Sequence, residues 1–230
     1  MTDEPMVLLE SVRFAYPGPT GFSLFVPRLS IGRGERVACI GPSGTGKTTL
    51  INLIAGILPP HEGRVEVDGR EISSLDESQR RLMRIERIGM VFQEFELLEY
   101  LSAEDNVLLP FHVSGHLRLT SSVRARARAL GTATGISHVL RRRPGRLSQG
   151  ERQRVAICRA LVTQPSLILC DEPTGNLDPV TANSTLDLLF GQVAEHDATM
   201  LMVTHNHSIL ARFDRVIDVS EFGSAGEDAA

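Results

Sequence analysis

With 230 residues, 42% of them hydrophobic and 23% charged, the chain has the balance of one globular domain that can bury a sizeable core. A formal net charge of −4 offers nucleic acid no bulk attraction, and no apolar run approaches the roughly 18 residues that span a bilayer. The acidic opening Met1-Thr2-Asp3-Glu4-Pro5 lacks a secretory pattern, so the expected location is the cytoplasm, with any membrane attachment made through a partner. Cys39, Cys158 and Cys170 lie in apolar segments without metal or redox spacing, and read as buried hydrophobes in a reducing compartment.

Residues 6–13 and 22–31 read as antiparallel strands broken by Pro17-Gly18-Pro19. Residues 35–40 are a buried strand and 49–55 a helix that stops at Leu58-Pro59-Pro60-His61-Glu62-Gly63. A hairpin arm follows over 64–69, then a solvated Arg- and Glu-rich helix over 76–86 and a strand over 88–92. From about 94 to 146 strand runs vanish, which predicts a helical subdomain inserted into an α/β core, with Arg124, Arg126, Arg128 and Arg141-Arg142-Arg143 exposed. Without interleaved aromatics, those arginines suit a solvated or partner-facing surface rather than nucleic acid. A helix to about Leu161 leads to a buried strand at 166–170. A helix from about 179 to 194, a strand at 199–203, a short helix at 208–213 and a strand over 215–219 follow. Apolar strands alternating with helices imply a mainly parallel sheet covered on both faces. The expected organisation is one domain over 1–222, with core 1–93 and 147–222, and a disordered tail over 223–230.

Between the strand 35–40 and its helix stands Gly41-Pro42-Ser43-Gly44-Thr45-Gly46-Lys47-Thr48, which fits G-x-x-x-x-G-K-[ST]. In such a strand–loop–helix, glycines let backbone N–H groups converge on phosphate oxygens at a helix N-terminus. Lys47 is expected to reach the β- and γ-phosphates and the Thr48 hydroxyl to ligate Mg²⁺. Asp171 and Glu172 follow the strand 166–170, at the end that faces the ligand crevice of a parallel sheet. There Asp171 suits Mg²⁺, and Glu172 can orient and deprotonate an attacking water. Ser148-Gln149-Gly150-Glu151 satisfies S-x-x-E, a capping box at a helix start.

In order, the stretch 41–48, Gln93, Leu147-Ser148-Gln149-Gly150-Glu151, Asp171-Glu172, Gly175-Asn176-Leu177-Asp178 and His205 resemble the motifs of ATP-binding cassette (ABC) ATPases. The resemblance covers roughly residues 6 to 219, and the stretches 150–157 and 171–178 are similar to the branch that serves lipoprotein release, macrolide efflux and cell division. It implies the ABC ATPase fold: a phosphate-loop core with an antiparallel β subdomain and an inserted helical subdomain. It also implies ATP and Mg²⁺, held by residues 41–48 and Thr49, with Tyr16 on adenine and Thr48, Gln93 and Asp171 around the metal. His205 would contact the γ-phosphate and help place Glu172, and Gln93 would touch the attacking water. By the same resemblance, Ser148 and Gly150 meet ATP held by a second copy in a head-to-tail dimer, and Asp178 lies in a loop facing that copy. Gln149 stands where glycine is more usual, and Asn206 where aspartate is commoner.

The implied activity is ATP hydrolysis that powers a separate membrane permease, from a position on the inner face of the membrane. The permease would dock near Gln93 and residues 94–106, where Phe95, Leu97, Leu98, Tyr100 and Leu101 either line the contact or pack internally. The alternative is an ATPase of a non-transport membrane complex that signals to a cell-envelope enzyme.

Overall fold

The computed structural model describes residues 4–18, 22–175, 177 and 179–223. In chain order it runs β1 (Val7–Ala15), β2 (Ser23–Ile31), β3 (Arg36–Ile40), α1 (Lys47–Ile54), β4 (Glu62–Val67), β5 (Arg70–Glu71), α2 (Glu77–Arg87) and β6 (Ile88–Val91). Then come α3 (Ala103–Val107), α4 (Leu109–Val113), α5 (Ser121–Ala133), α6 (Gln149–Leu161), β7 (Leu167–Asp171), α7 (Pro179–Glu195), β8 (Thr199–Val203) and β9 (Arg215–Asp218). Contacts divide the chain into two units, Met1–Arg84 with Thr199–Ala230, and Ile85–Ala198. Among the described residues no helix is long and apolar enough to cross a membrane.

The first unit has two kinds of strand. β1 and β2 bury alternate side chains on either side of a one-residue shift (Val7 and Leu9, then Val12 and Phe14 on one; Leu24 and Val26, then Leu29 and Ile31 on the other) and pair antiparallel, with β4 and β5 completing the order β2-β1-β4-β5. β3 instead buries Val37, Ala38 and Cys39 in succession, the pattern of a parallel strand covered on both faces, and it lies between β8 and β9. The helix α1 ends at Ile54, earlier than the run of prolines suggests. Gly56 takes φ +64° just beyond it, and the amides of Gly56 and Ile57 return to the carbonyls of Leu53 and Asn52 at 3.1 and 2.9 Å. Arg84 of α2 adds bonds to the carbonyls of Ala55 and Gly56 at 3.2 and 3.1 Å. This helix is therefore solvated along most of its length but spends one arginine on capping α1.

In the second unit β6 and β7 pair in parallel, and every element between Gln93 and the end of α6 is helical or turn. Gly89 sits so close to α6 that an added Cβ would stand 2.4 Å from the Ala160 carbonyl oxygen. Arg126 departs from the expected exposed arginines, and Phe95 decides between the two readings of its run. Arg126 is half-buried and donates to the Val162 carbonyl at 2.8 Å, so it is no part of an exposed arginine face. Phe95 is buried, and Asn106 is wholly buried, knitting the turn before α3 through bonds to Leu98 N–H and the carbonyls of Leu98 and Ser102 at 2.8, 3.1 and 3.0 Å. Neither can meet a partner, whereas Tyr100 is 69% exposed. The short helix expected at 208–213 is a 3₁₀ helix over 207–212, and the last strand stops at Asp218, one residue before the expected end, in a 3₁₀ turn over 219–221. Gly223, assigned to the tail, bridges Phe25; the rest of that tail lies outside the described residues. All three cysteines are buried and none is in a disulfide, and burial pushes the Cys158 thiol up to about 12.

Candidate functional site

The first unit presents one loop and two strand ends. β3 stops at Ile40 and the chain crosses Gly41-Pro42-Ser43-Gly44-Thr45 before α1 begins at Lys47. Gly46 caps α1 at φ +100°, and no side chain caps that end. A Cβ at Gly46 would lie 2.6 Å from Cζ of Phe22, so both conformation and space demand glycine. Lys47 curls over the loop, its Nζ donating to the carbonyls of Gly41 and Pro42 at 2.8 and 2.7 Å. Thr48 is exposed in the first turn of α1, while Thr49 is buried with its hydroxyl 3.5 Å from the Tyr16 hydroxyl. The Tyr16 ring is 39% exposed and meets Phe14 edge-on at 4.9 Å.

Parallel pairing brings two further residues to the same end. Cys39 pairs with Val203 and Ile40 with Asp218, and the Thr204 N–H reaches the Cys39 carbonyl at 3.1 Å. His205 therefore emerges, exposed, beside the start of the loop. Asn206, in place of the commoner aspartate, caps the following 3₁₀ helix by accepting from Ser208 N–H at 3.0 Å. Asp218 was not singled out from the sequence. Its Oδ1 lies 3.4 Å from where a Gly41 Cβ would stand, and it accepts from the Ser220 hydroxyl and N–H at 2.6 and 2.9 Å. Those two bonds, more than the charge of Lys47, hold its carboxyl below the usual carboxylate range. An acid ending a short strand is common, so no sequence signal marked it.

The second unit holds the two acids and the stretch Leu147-Ser148-Gln149-Gly150-Glu151. Asp171 closes β7 half-buried, and Glu172 follows with φ +46°, a left-handed conformation rare outside glycine. The turn is closed by Gly175 N–H to the Glu172 carbonyl at 3.1 Å. A Cβ on Gly175 would stand 3.4 Å from both Glu172 Oε2 and Gln93 Nε2, so the carboxylate and the Gln93 amide converge on one spot. Gln153, wholly buried on α6, donates to the Pro173 carbonyl and supports the same turn. Periodicity places residue 153 on a helix but cannot show which loop it meets.

The capping box at the start of α6 is complete. Ser148 Oγ accepts from Glu151 N–H at 3.3 Å, and Glu151 Oε2 accepts from Ser148 N–H at 2.7 Å. Gln149 is the first helical residue and exposed, in backbone that any residue adopts, so glycine is not required there. Gly150 is different: a Cβ would approach Thr181 Cγ2 of α7 at 3.0 Å. Asp178 lies outside the described residues. Thr48, Gln93 and Asp171 offer a hydroxyl, an amide carbonyl and a carboxylate, hard oxygens without sulfur or imidazole, a donor set that fits Mg²⁺.

Comparison with known proteins gives the family. The family described as ABC transporter matches residues 26–175. The lipoprotein-releasing system ATP-binding protein LolD of Chromohalobacter salexigens is 43% identical over 201 residues, 87% of this chain and 84% of that protein. LolD of Pseudomonas syringae pv. tomato is 43% identical over 190 residues, 83% of each chain. Among solved structures, the ATP-binding cassette MJ0796, in a dimeric post-hydrolysis state bound to ADP and Pi, matches with a TM-score of 0.85 at 33% identity. That match covers 95% of this chain and 98% of that one.

Proposed function

The chain belongs to the ABC transporter family as one of its ATP-binding, ATP-hydrolysing cassettes, and we propose that it energises a separate membrane permease by closing with a second copy around ATP. Nucleotide phosphates sit against the N–H groups of residues 41–48 and the start of α1, where the helix end is positive. Lys47 leaves its carbonyl partners for the β- and γ-phosphates, and Tyr16 offers its exposed face to adenine. Thr48, Gln93 and Asp171 would hold Mg²⁺, whose charge would offset that of the phosphates. Glu172 takes a proton from the attacking water, with Gln93 and His205 placing that water and the γ-phosphate. Ser148 and Gly150 of the second copy cover the phosphate. The protein is then peripheral on the cytoplasmic face, held by its permease. The similarity to LolD proteins supports a permease of the lipoprotein-releasing kind.

The observation that most supports this function is the convergence of Glu172 and Gln93 at Gly175, with Glu172 held in left-handed backbone. Strain of that kind persists where the surroundings fix a group for use. Glu172→Gln should bind ATP with parental affinity and lose about 10²–10⁴-fold in turnover. Turnover near the parental rate would remove Glu172 as the base.

A further inference from the structure

We propose that Arg159 is a positioning residue for hydrolysis, acting through the backbone of the Gln93 loop; the proposal rests on the hydrolytic role of Gln93 given above. Two residues beyond Gln93 the chain does something unusual. Phe95 and Glu96 are consecutive, neither is glycine, and they take φ +62° and +48°. The turn is tight, with Phe95 N–H on the Phe92 carbonyl at 3.2 Å and Glu96 N–H on the Glu94 carbonyl at 2.7 Å. The carbonyls of Phe95 and Glu96 both accept from the guanidinium of Arg159 on α6. Nη2 donates to Phe95 at 2.6 Å and Nη1 to Glu96. A planar fork matches two adjacent carbonyls in a way an ammonium cannot. Burial opposes this guanidinium's charge while nearby Glu96 favours it, so a charged donor is spent here on main-chain oxygens. Phe95 itself is buried.

The consequence concerns the exposed Gln93, whose amide must stay beside Glu172 at Gly175. Two left-handed residues, the second and third after it, relax unless something opposes them, and Arg159 is what the fold supplies. The same helix begins at Ser148 and Gly150, so one rigid element carries both the surface proposed to meet the second copy and the clamp on the water-placing loop.

A double-variant cycle on the whole chain with Mg²⁺–ATP tests this. Arg159→Met should lower kcat by about 10–100-fold, with KM for ATP and the affinity for ADP changed less than about twofold. Gln93→Ala should cost a similar factor, and the double variant should fall no lower than the worse single, because both remove one positioning event. Arg159→Lys, which keeps the charge and stem, should be intermediate, and it replaces the Met variant in the cycle if that one fails to fold. Multiplied losses in the double variant, a raised KM at unchanged kcat, or a Gln93→Ala variant at parental kcat would each overturn the clamp. Glu172→Gln measured alongside separates the two ideas. Parental turnover in that variant sinks the hydrolytic assignment itself, whereas multiplied losses beside an inactive Glu172→Gln sink the role of Arg159 alone.

Discussion

Glu172 and Gly46 both hold left-handed backbone, at φ +46° and +100°, and the side chain makes them opposites. Gly46 has no Cβ to strain and no room for one beside Phe22. Glu172 carries a full side chain where glycine would be relaxed, at a cost of about 1–3 kcal/mol. That cost is tolerable only if the carboxylate is needed where the turn puts it. Glu172→Gly should therefore melt at the parental temperature or above it while losing turnover with the carboxylate. A clear drop in Tm, read by thermal denaturation, would mean that the turn is not strained and that Glu172 contributes packing. As an acid following an apolar strand, Glu172 was legible from the chain alone; its backbone angle was not, because nothing local forbids an ordinary one.

At the scale of elements, α6 carries the most information. Its capping box is written in four consecutive residues, and the structure repeats it bond for bond. It also carries a pH signature. The Ser148 N–H bond is the main reason the Glu151 carboxyl lies below its usual 4.5, with smaller contributions from the Ser148 hydroxyl, His138, whose Nε2 is 3.3 Å away, and Arg142. A carboxyl lowered by folding contributes stability that is fully present above its unfolded value and is lost as pH falls through the folded one. Urea midpoints taken from about pH 6 to about pH 3.5 should thus fall faster in the parent than in Glu151→Gln, which keeps a box-forming amide but does not titrate. Parallel slopes would show that the carboxylate form adds nothing. By contrast, Gln153 and Arg159 on the same helix reach loops 20 and 63 residues away, and no pattern inside the helix predicts those partners.

At the scale of the whole molecule, the surfaces of Ser148 and Gly150 act, under the proposed function, only on nucleotide held by another copy. Glu172→Gln with ATP should shift the mass in solution from monomer to dimer, and the same variant with ADP should remain monomeric. A monomer throughout, at ATP well above its Kd, would count against the sandwich. Loss of hydrolysis removes the step that reopens the dimer, so the trapped species accumulates by mass action.

From its residues alone, this chain determined whatever depends on neighbours in sequence. The phosphate loop, the capping box, the acids at the end of β7 and the alternating or continuous apolar runs are local patterns. The physics behind them, turn conformation, helix capping and strand burial, acts within a few residues. Tertiary structure alone decided what depends on distant partners. Parallel register set Asp218 and His205 beside Gly41, α7 removed the space for a side chain at Gly150, and the Arg159 fork met two carbonyls in left-handed backbone. It also took Phe95, Asn106 and Arg126 out of the exposed surface, because a side chain's exposure is settled by what packs over it and not by its own polarity.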